Sequence, residues 1–225
     1  KIHYAELRVK SICGEYHWFG CHYKAITSDA GTVAKVVGKL ADISRQRSRE
    51  QELREQAMRD VLTGIYNKAG EKLIDRMVKE KGQGLFLMLD LNDFKSINDT
   101  MGHAAGDAIL TEMGRVLKGA CRENDIVARI GGDEFVMFLP GAFDWQTGKR
   151  KIGEIQDSLR TVMITTWGIR GIRASIGTAL CPEDGMDYET LFKAADEAMY
   201  LDKEQSKNRN ESREAGEEKQ DRTIS

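Results

Sequence analysis

Three acidic residues stand where a carboxylate needs a special reason. Asp90 interrupts the apolar run Leu85–Leu91 near its C-terminal end, and Asp133 and Glu134 directly follow the pair Gly131–Gly132. Burying a charge is costly without compensation, and two adjacent glycines suit a tight hairpin turn with positive φ. Carboxylates that converge beside glycines are typical of sites for Mg²⁺ and nucleotide phosphates. From the residues alone a second reading stays open, in which Asp133 and Glu134 decorate a surface hairpin and Asp90 caps a strand.

The spacing of apolar residues predicts regularly alternating elements after residue 60. We expect helices over 67–81, 105–121, 148–164 and 188–203, and strands over 85–91, 126–130, 134–139 and 173–180. From residue 85 the order is β-α-β-β-α-β, the split βαβ arrangement of an α+β, ferredoxin-like fold, with an antiparallel sheet and helices on one face. The first and third strands are then central antiparallel neighbours, which brings Asp90 to the Gly131–Gly132 turn.

The first 43 residues have a different pattern. Aromatic and β-compatible residues over 17–26 and 33–40, separated by a turn at 28–31, predict two or three strands. Such a piece is too small to bury a core alone, so we expect other sequence or another chain to complete it. The Pro- and Gly-free, highly charged stretch 44–59 predicts a connecting helix. It is either simply exposed or seats a short parallel dimer along Ile43, Leu53 and Ala57. The charged tail, 210–225, is expected to be disordered.

Composition narrows the functional classes. The 225 residues include 34 Lys and Arg against 36 Asp and Glu, a net charge of −2, which argues against a dedicated nucleic-acid binder. The four cysteines lack the paired spacing of a zinc or redox site. No apolar run is long enough to cross a membrane, and a chain that begins with Lys is expected to be a fragment, cytoplasmic in this part.

Five motifs in order carry a family resemblance. Residues 129–135 spell RIGGDEF, and 60–68 (DVLTGIYNK), 90–99 (DLNDFKSIND), 102–107 (GHAAGD) and 195–200 (ADEAMY) accompany it. Over about residues 60–209 the sequence resembles the GGDEF-domain family of diguanylate cyclases. That resemblance implies a palm-like nucleotidyl cyclase fold and the condensation of two GTP molecules into cyclic di-GMP and two pyrophosphates by a homodimer. It also implies dependence on Mg²⁺, with Mn²⁺ as the alternative ion.

The resemblance also implies roles for individual residues. The Mg²⁺ ligands are expected to be Asp90, the backbone carbonyl of Leu91, and Asp133 with Glu134; Asp133 or Glu134 is the candidate base for the attacking ribose 3′-hydroxyl. Lys95 matches the residue that stabilises phosphate charge. The remaining substrate-binding positions are Asn98 and Asp107 for guanine, His103, Gly131, Gly132, and Lys203 and Lys207 for the phosphates. For Asn98, His103 and Lys95, a cap, a surface residue and a solvated charge are the ordinary alternatives.

Three further inferences come from the same resemblance. Lys207 stands where the family usually has arginine, so the bidentate hydrogen bonding of a guanidinium to phosphate is lost unless Arg209 supplies it. Arg122 and Asp125 match the family's RxxD inhibitory site for cyclic di-GMP, against the alternative of a helix-end salt bridge. Residues 1–43 resemble, more loosely, the end of a PAS sensor domain, and the helix over 44–59 then resembles a signalling linker. The main competing function is a catalytically silent module that binds cyclic di-GMP or GTP.

Overall fold

The chain forms two compact units. The computed structural model describes residues 1–29, 31–141, 144–167, 174–201 and 203. For residues 163–167 it describes the backbone and not the side chains. The first unit spans Lys1–Ala57 and the second Met58–Ser225. The tail at 210–225 lies outside the described residues. Among those residues, no helix has both the length and the apolar character that a bilayer crossing requires.

The first unit is a three-stranded antiparallel sheet followed by a helix. Strands β1 (His3–Lys10), β2 (Tyr16–Thr27) and β3 (Val33–Asp42) pair in the order β1-β2-β3, and helix α1 covers Ser44–Ala57. Every residue of β3 is exposed, and α1 has no buried residue. The sheet therefore has almost no core of its own, as its size predicts.

The second unit is built on a four-stranded antiparallel sheet. Its strands are β4 (Gly84–Leu91), β5 (Ile126–Arg129), β6 (Glu134–Pro140) and β7 (Ala174–Cys181), in the order β5-β6-β4-β7. The first and third strands in chain order, β4 and β6, are thus central antiparallel neighbours. The predicted α+β fold is confirmed.

Helices cover both faces of this sheet, so the prediction of helices on one face is wrong. The helices are α2 (Gly70–Lys81), α3 (Phe94–Met101), α4 (His103–Ala120), α5 (Trp145–Trp167) and a last helix, α6, over 188–201. Alternate residues of β4 enter two separate cores, Leu85, Leu87 and Leu89 with α4 and α5, Phe86 and Met88 with α2 and α6. The continuous apolar run of β4 is the sequence signature of a strand buried on both sides.

Two local differences from the predicted elements bear on the site. A short helix, α3, lies between β4 and α4, where the sequence predicted none, and its Phe94 and Ile97 pack on the core. Helix α2 begins at Gly70 instead of residue 67, because Asn67 instead forms a turn in which its side chain accepts the Ala69 N–H at 2.9 Å.

Candidate active site

Three acidic side chains and one lysine meet at the end of β4. Asp90 pairs with Glu134 in the β4–β6 register, and Asp133 precedes Glu134 in the turn that enters β6. Lys203, a helical residue that follows α6, places its Nζ 2.8 Å from Oδ1 of Asp90. We call Asp90, Asp133 and Glu134 the acid cluster. Asp90, Glu134 and Lys203 line a cavity of about 550 Å³.

Burial and mutual repulsion raise the pKa values of two of these acids. Burial raises the pKa of Asp133 first, and the charge of Asp90 adds to it; Lys203 and Arg129 act in the opposite direction. The pKa of Glu134 is raised by burial, then by Asp90 and Asp133. Like charges held in one place raise carboxyl pKa values unless a cation compensates. The pKa values of Asp133 and Glu134 stay raised although Lys203 is present, so a further positive charge would stabilise the ionised acid cluster.

The donor set fits Mg²⁺ by chemistry. Carboxylate oxygens, with the carbonyl of Leu91 at the end of β4, are the ligands that a hard divalent cation prefers. Within the described ranges, no three acidic, His or Cys side chains already surround one point as metal ligands. Lys203 contacts Oδ1 of Asp90, so a bound cation would compete with Lys203 for that oxygen or use the other oxygen of the same carboxylate.

The prediction of positive φ at the glycine pair is wrong. Among the described residues the positive-φ glycines lie elsewhere, at Gly14, Gly31, Gly64, Gly82, Gly102 and Gly141. A Cβ on Gly131 would come 2.4 Å from Oε2 of Glu134, so the end of that flexible side chain would have to shift. A Cβ on Gly132 would meet only open space. The turn thus uses the bare backbone of Gly131 to accommodate the carboxylate of Glu134.

An arginine that the sequence analysis did not single out holds this turn. Arg129 donates to the carbonyl of Gly132 from Nε and Nη2, at 3.0 and 2.8 Å, and its Nη1 lies 3.2 Å from Oδ1 of Asp60. Asp60 in turn accepts the N–H and hydroxyl of Thr63 at 2.9 and 2.7 Å. Arg129 and Asp60 are mostly buried, with 16% and 22% of their side chains exposed. The start of the second unit is therefore tied to the turn that carries the acid cluster.

The predicted guanine-reading residues lie together at the junction of α3 and α4. Oδ1 of Asn98 is so near Gly106 that a Cβ there would lie 2.0 Å from it, and Asp107 is the next residue. His103 begins α4, and both His103 and Asp107 are exposed. Lys95 is exposed in the first turn of α3. Their predicted roles stay predictions, since no described contact joins these four side chains to the acid cluster.

The predicted inhibitory residues form a closed turn after α4. Oδ2 of Asp125 accepts the backbone N–H of Arg122 at 2.7 Å, and the N–H of Asp125 donates to the carbonyl of Arg122 at 3.1 Å. The alternative of an Arg122–Asp125 salt bridge is wrong for the described structure, because the contact uses the backbone of Arg122. Lys207 and Arg209, predicted to bind phosphate, lie outside the described residues.

The family model and two curated relatives that match this chain point to one family, the diguanylate cyclases. The model of the family "Diguanylate cyclase, GGDEF domain" matches residues 57–209. Diguanylate cyclase DgcS of Shewanella oneidensis is 32% identical over 165 residues, 70% of this chain and 53% of DgcS. Diguanylate cyclase TpbB of Pseudomonas aeruginosa is 34% identical over 161 residues, 69% of this chain and 37% of TpbB. The chain thus spans about half, or less, of the length of these curated relatives.

Solved structures agree with the fold. The coiled coil and GGDEF domain of DgcB from Caulobacter crescentus, crystallised in complex with c-di-GMP, matches with a TM-score of 0.63 at 27% identity, covering 72% of this chain and 88% of that one. The GGDEF domain of TpbB (YfiN) from Pseudomonas aeruginosa matches with a TM-score of 0.58 at 34% identity, covering 64% and 92%.

Proposed function

The chain belongs to the GGDEF-domain family of diguanylate cyclases, and from that premise we propose that it condenses two GTP molecules into cyclic di-GMP and two pyrophosphates. In each half-reaction the ribose 3′-oxygen of one GTP forms a bond to the α-phosphorus of the other. The bond from that phosphorus to the bridging oxygen breaks, pyrophosphate leaves, and the hydroxyl proton passes to a carboxylate. Asp133 or Glu134 is the proposed acceptor of that proton.

The electrostatics of the acid cluster support this assignment. The raised pKa values of Asp133 and Glu134 make their ionised forms better proton acceptors than ordinary surface carboxylates. Asp90, Leu91 and Asp133, with Glu134, are the residues that would hold Mg²⁺. When bound, Mg²⁺ would offset phosphate charge and favour the ionised 3′-hydroxyl.

The ion pair between Asp90 and Lys203 gives substrate binding a specific consequence. Lys203 is proposed to bind the triphosphate, whereas Asp90 is proposed to hold the cation, so both roles compete with the 2.8 Å contact between them. A triphosphate with its cation supplies a negative partner for Lys203 and a positive partner for Asp90 together. We propose that GTP and the cation therefore bind as one unit, each disfavoured alone.

The α3–α4 junction is proposed to bind the guanine base. Its donor edge suits the carboxylate of Asp107 and its acceptor suits the amide of Asn98, while His103 contacts the substrate. Lys95 is proposed to offset phosphate charge as a compact ammonium. The exposure of Lys95, His103 and Asp107 leaves them accessible to a ligand.

The chemistry requires two acid clusters facing each other, so we propose a homodimer. Arg122 and Asp125 are proposed to bind the product and inhibit the enzyme. Residues 1–43 are proposed to be the closing strands of a PAS-like sensor, which is supported by three antiparallel strands leading into α1. Reorientation of α1 would then change how two cyclase domains meet.

The observation that carries the cyclase proposal is the convergence of Asp90, Asp133 and Glu134 on the β4–β6 pair beside Lys203. The test is incubation with GTP and Mg²⁺, with chromatographic measurement of both products over a range of protein concentrations. We expect two pyrophosphates per cyclic di-GMP and a rate per mole of protein that rises with concentration. ATP serves as the matched control substrate. A rate per mole independent of concentration across the dimerisation range would contradict the two-halves mechanism.

A catalytically silent binding module is the second candidate. The ion pair that occupies Asp90 and Lys203 favours it, because both groups are engaged before any ligand arrives. That candidate predicts binding of cyclic di-GMP without release of pyrophosphate from GTP at any protein concentration.

A further inference from the structure

A second cavity lies beside the N-terminal end of β5, the end opposite the Gly131–Gly132 turn. It has a volume of about 310 Å³, at the lower end of the range for ligand pockets, about 300 to 1,000 Å³. Arg122 and Asp125 form one side, and Arg59 and Tyr66 also line it. We call this space the Arg122 cavity. Neither Arg59 nor Tyr66 entered the assignment of the inhibitory site.

Arg59 and Tyr66 form a fixed pair. The guanidinium carbon of Arg59 lies 3.9 Å from the centre of the Tyr66 ring, a cation–π contact. Arg59 and Tyr66 are also bridged through their backbones, and Tyr66 is joined to β5 on both sides, donating to Val127 at 3.2 Å and accepting from Arg129 at 2.8 Å. Because the backbone of β5 holds Tyr66, the pair presents an ordered wall to the cavity.

The charges around the cavity favour an anion. Arg59, Lys118 and Arg122 line it, and none of them forms an ion pair with another described residue. Of the two acids that line it, Asp125 already accepts the backbone N–H of Arg122. Unpaired cations beside an aromatic ring suit a planar base that carries phosphate.

The remaining lining is apolar and uncharged. Ile65 and Val127 line the cavity, both at most 6% exposed, and burial raises the pKa of the Cys121 thiol to about 12, so that this side chain stays neutral. An uncharged apolar surface beside cations suits the flat face of a base better than a small inorganic anion.

We propose that Arg59 and Tyr66 are the second wall of a purine nucleotide site in the Arg122 cavity. The base stacks against the Arg59–Tyr66 pair, and Lys118 and Arg122 meet the phosphate. This inference rests on the proposed product feedback and deepens it, because it makes Arg59 and Tyr66 determinants of affinity and of the preference for an aromatic ligand. It also places the ligand against the first residues of the second unit.

Calorimetric titration of the full chain with cyclic di-GMP tests this proposal. Arg59→Ala and Tyr66→Leu are each expected to weaken binding about tenfold or more, since stacking and cation–π contacts are lost. Arg76→Ala is the matched control: Arg76 is 71% exposed on α2 and lines no part of the cavity, so the affinity should stay within about twofold. Thermal unfolding of each variant verifies that it is folded.

The possible outcomes are distinct. If Arg122→Ala weakens binding while Arg59→Ala and Tyr66→Leu bind like the wild type, the roles proposed for Arg59 and Tyr66 are wrong. The inhibitory site at Arg122 is then supported without them. If inorganic phosphate competes as well as cyclic di-GMP does, the cavity binds anions without reading a base, and the proposal is overturned. If the wild type binds no cyclic di-GMP, both the feedback and the wall are wrong, whereas turnover of GTP, measured separately, still decides the cyclase activity.

Discussion

The second unit has two candidate binding regions with opposite charge. In the acid cluster three carboxylates face Lys203, and repulsion and burial raise the pKa of Asp133 and Glu134. In the Arg122 cavity, three cations that have no ion pair with another described residue outnumber two acids, one of which, Asp125, accepts a backbone N–H. We therefore propose that one region binds a nucleotide together with a cation, whereas the other binds an anionic nucleotide without one.

The same segments build both regions. Tyr66, which lines the Arg122 cavity, pairs with Ala128 of β5. Arg129, at the end of the same strand, donates to the carbonyl of Gly132 in the turn that carries the acid cluster. If guanine nucleotides are both substrate and inhibitor, as proposed, the opposite charges of the two regions distinguish the substrate site from the inhibitory site.

The largest expected effect comes from Asp133→Asn. Losing the proposed base and cation ligand should lower GTP turnover about a thousandfold, measured as pyrophosphate release. Affinity for cyclic di-GMP at the Arg122 cavity should stay unchanged. Because repulsion and burial raise the pKa of Asp133, the ionised carboxylate destabilises the fold above that pKa, so Asn should leave the thermal midpoint equal or higher. Turnover within tenfold of the wild type would show that the acid cluster is not the catalytic site.

Arg129→Lys should reduce kcat about tenfold to a hundredfold with a smaller change in KM. Lysine cannot hold both the Gly132 carbonyl and Asp60 with the geometry of a guanidinium, so the turn loses its fixed position. Arg115→Lys is the matched control, because Arg115 is 65% exposed and its one ion-pair partner among the described residues is Glu112 in its own helix. Equal kinetic constants for Arg129→Lys and the control would remove Arg129 from the positioning of the acid cluster.

Arg122→Ala should weaken product inhibition about tenfold, seen as a higher concentration of cyclic di-GMP for half inhibition. The guanidinium is exposed at the cavity, whereas the turn is held by backbone and Asp125 contacts, so the turn itself should persist. Raising the salt concentration should weaken inhibition in the wild type more than in the variant, since one fewer charge contact is screened. The same inhibition curve for both proteins would place the inhibitory site elsewhere.

The smallest expected effect is the pH dependence of Asp60→Asn. Burial raises the pKa of Asp60, but hydrogen bonds from Thr63 and Arg129 outweigh it and hold the pKa below its usual 3.8. The ionised carboxylate therefore stabilises the fold above about pH 4, and this contribution is lost as the pH falls through the folded pKa.

Urea unfolding measures that difference. Asp60→Asn should be about 1.5 kcal/mol less stable at pH 7, and the gap should narrow toward pH 3. Asp157→Asn, at a side chain 74% exposed, should lose less than about 0.5 kcal/mol. A gap for Asp60→Asn that does not change with pH would contradict the proposed linkage.

Much of the acid cluster followed from sequence, because strand alternation and order are local patterns that imply which strands are neighbours. The predicted order brings Asp90 to the Gly131–Gly132 turn, and the pairing of Asp90 with Glu134, two residues after Gly132, agrees with it. Helix α3 was missed although Phe94, Ile97 and Met101 have helical spacing, since its short length gave little periodicity to detect. The helices on the second face were predicted, but their face was wrong, because an apolar stripe on a helix does not say which side of the sheet the helix covers.

The contacts that hold the site could not be predicted from a single sequence. Arg129 meets Asp60 across 69 residues, and Lys203 meets Asp90 from the end of the chain's last described helix. The positive φ predicted at Gly131 was wrong, and the atom nearest to a Cβ there is Oε2 of the neighbouring Glu134 side chain. Local spacing does not encode which side chain fills the space beside a glycine.

The central claim is that two copies of the chain each contribute one acid cluster and one GTP to a single reaction. The most direct test adds increasing amounts of inactive Asp133→Asn to a fixed amount of wild type, with GTP and Mg²⁺ in excess. If mixed dimers form, each one removes a productive site, so the account predicts that cyclic di-GMP formation falls as the variant is added. A rate that depends only on the wild type, at total concentrations where the chain is shown to dimerise, would contradict it.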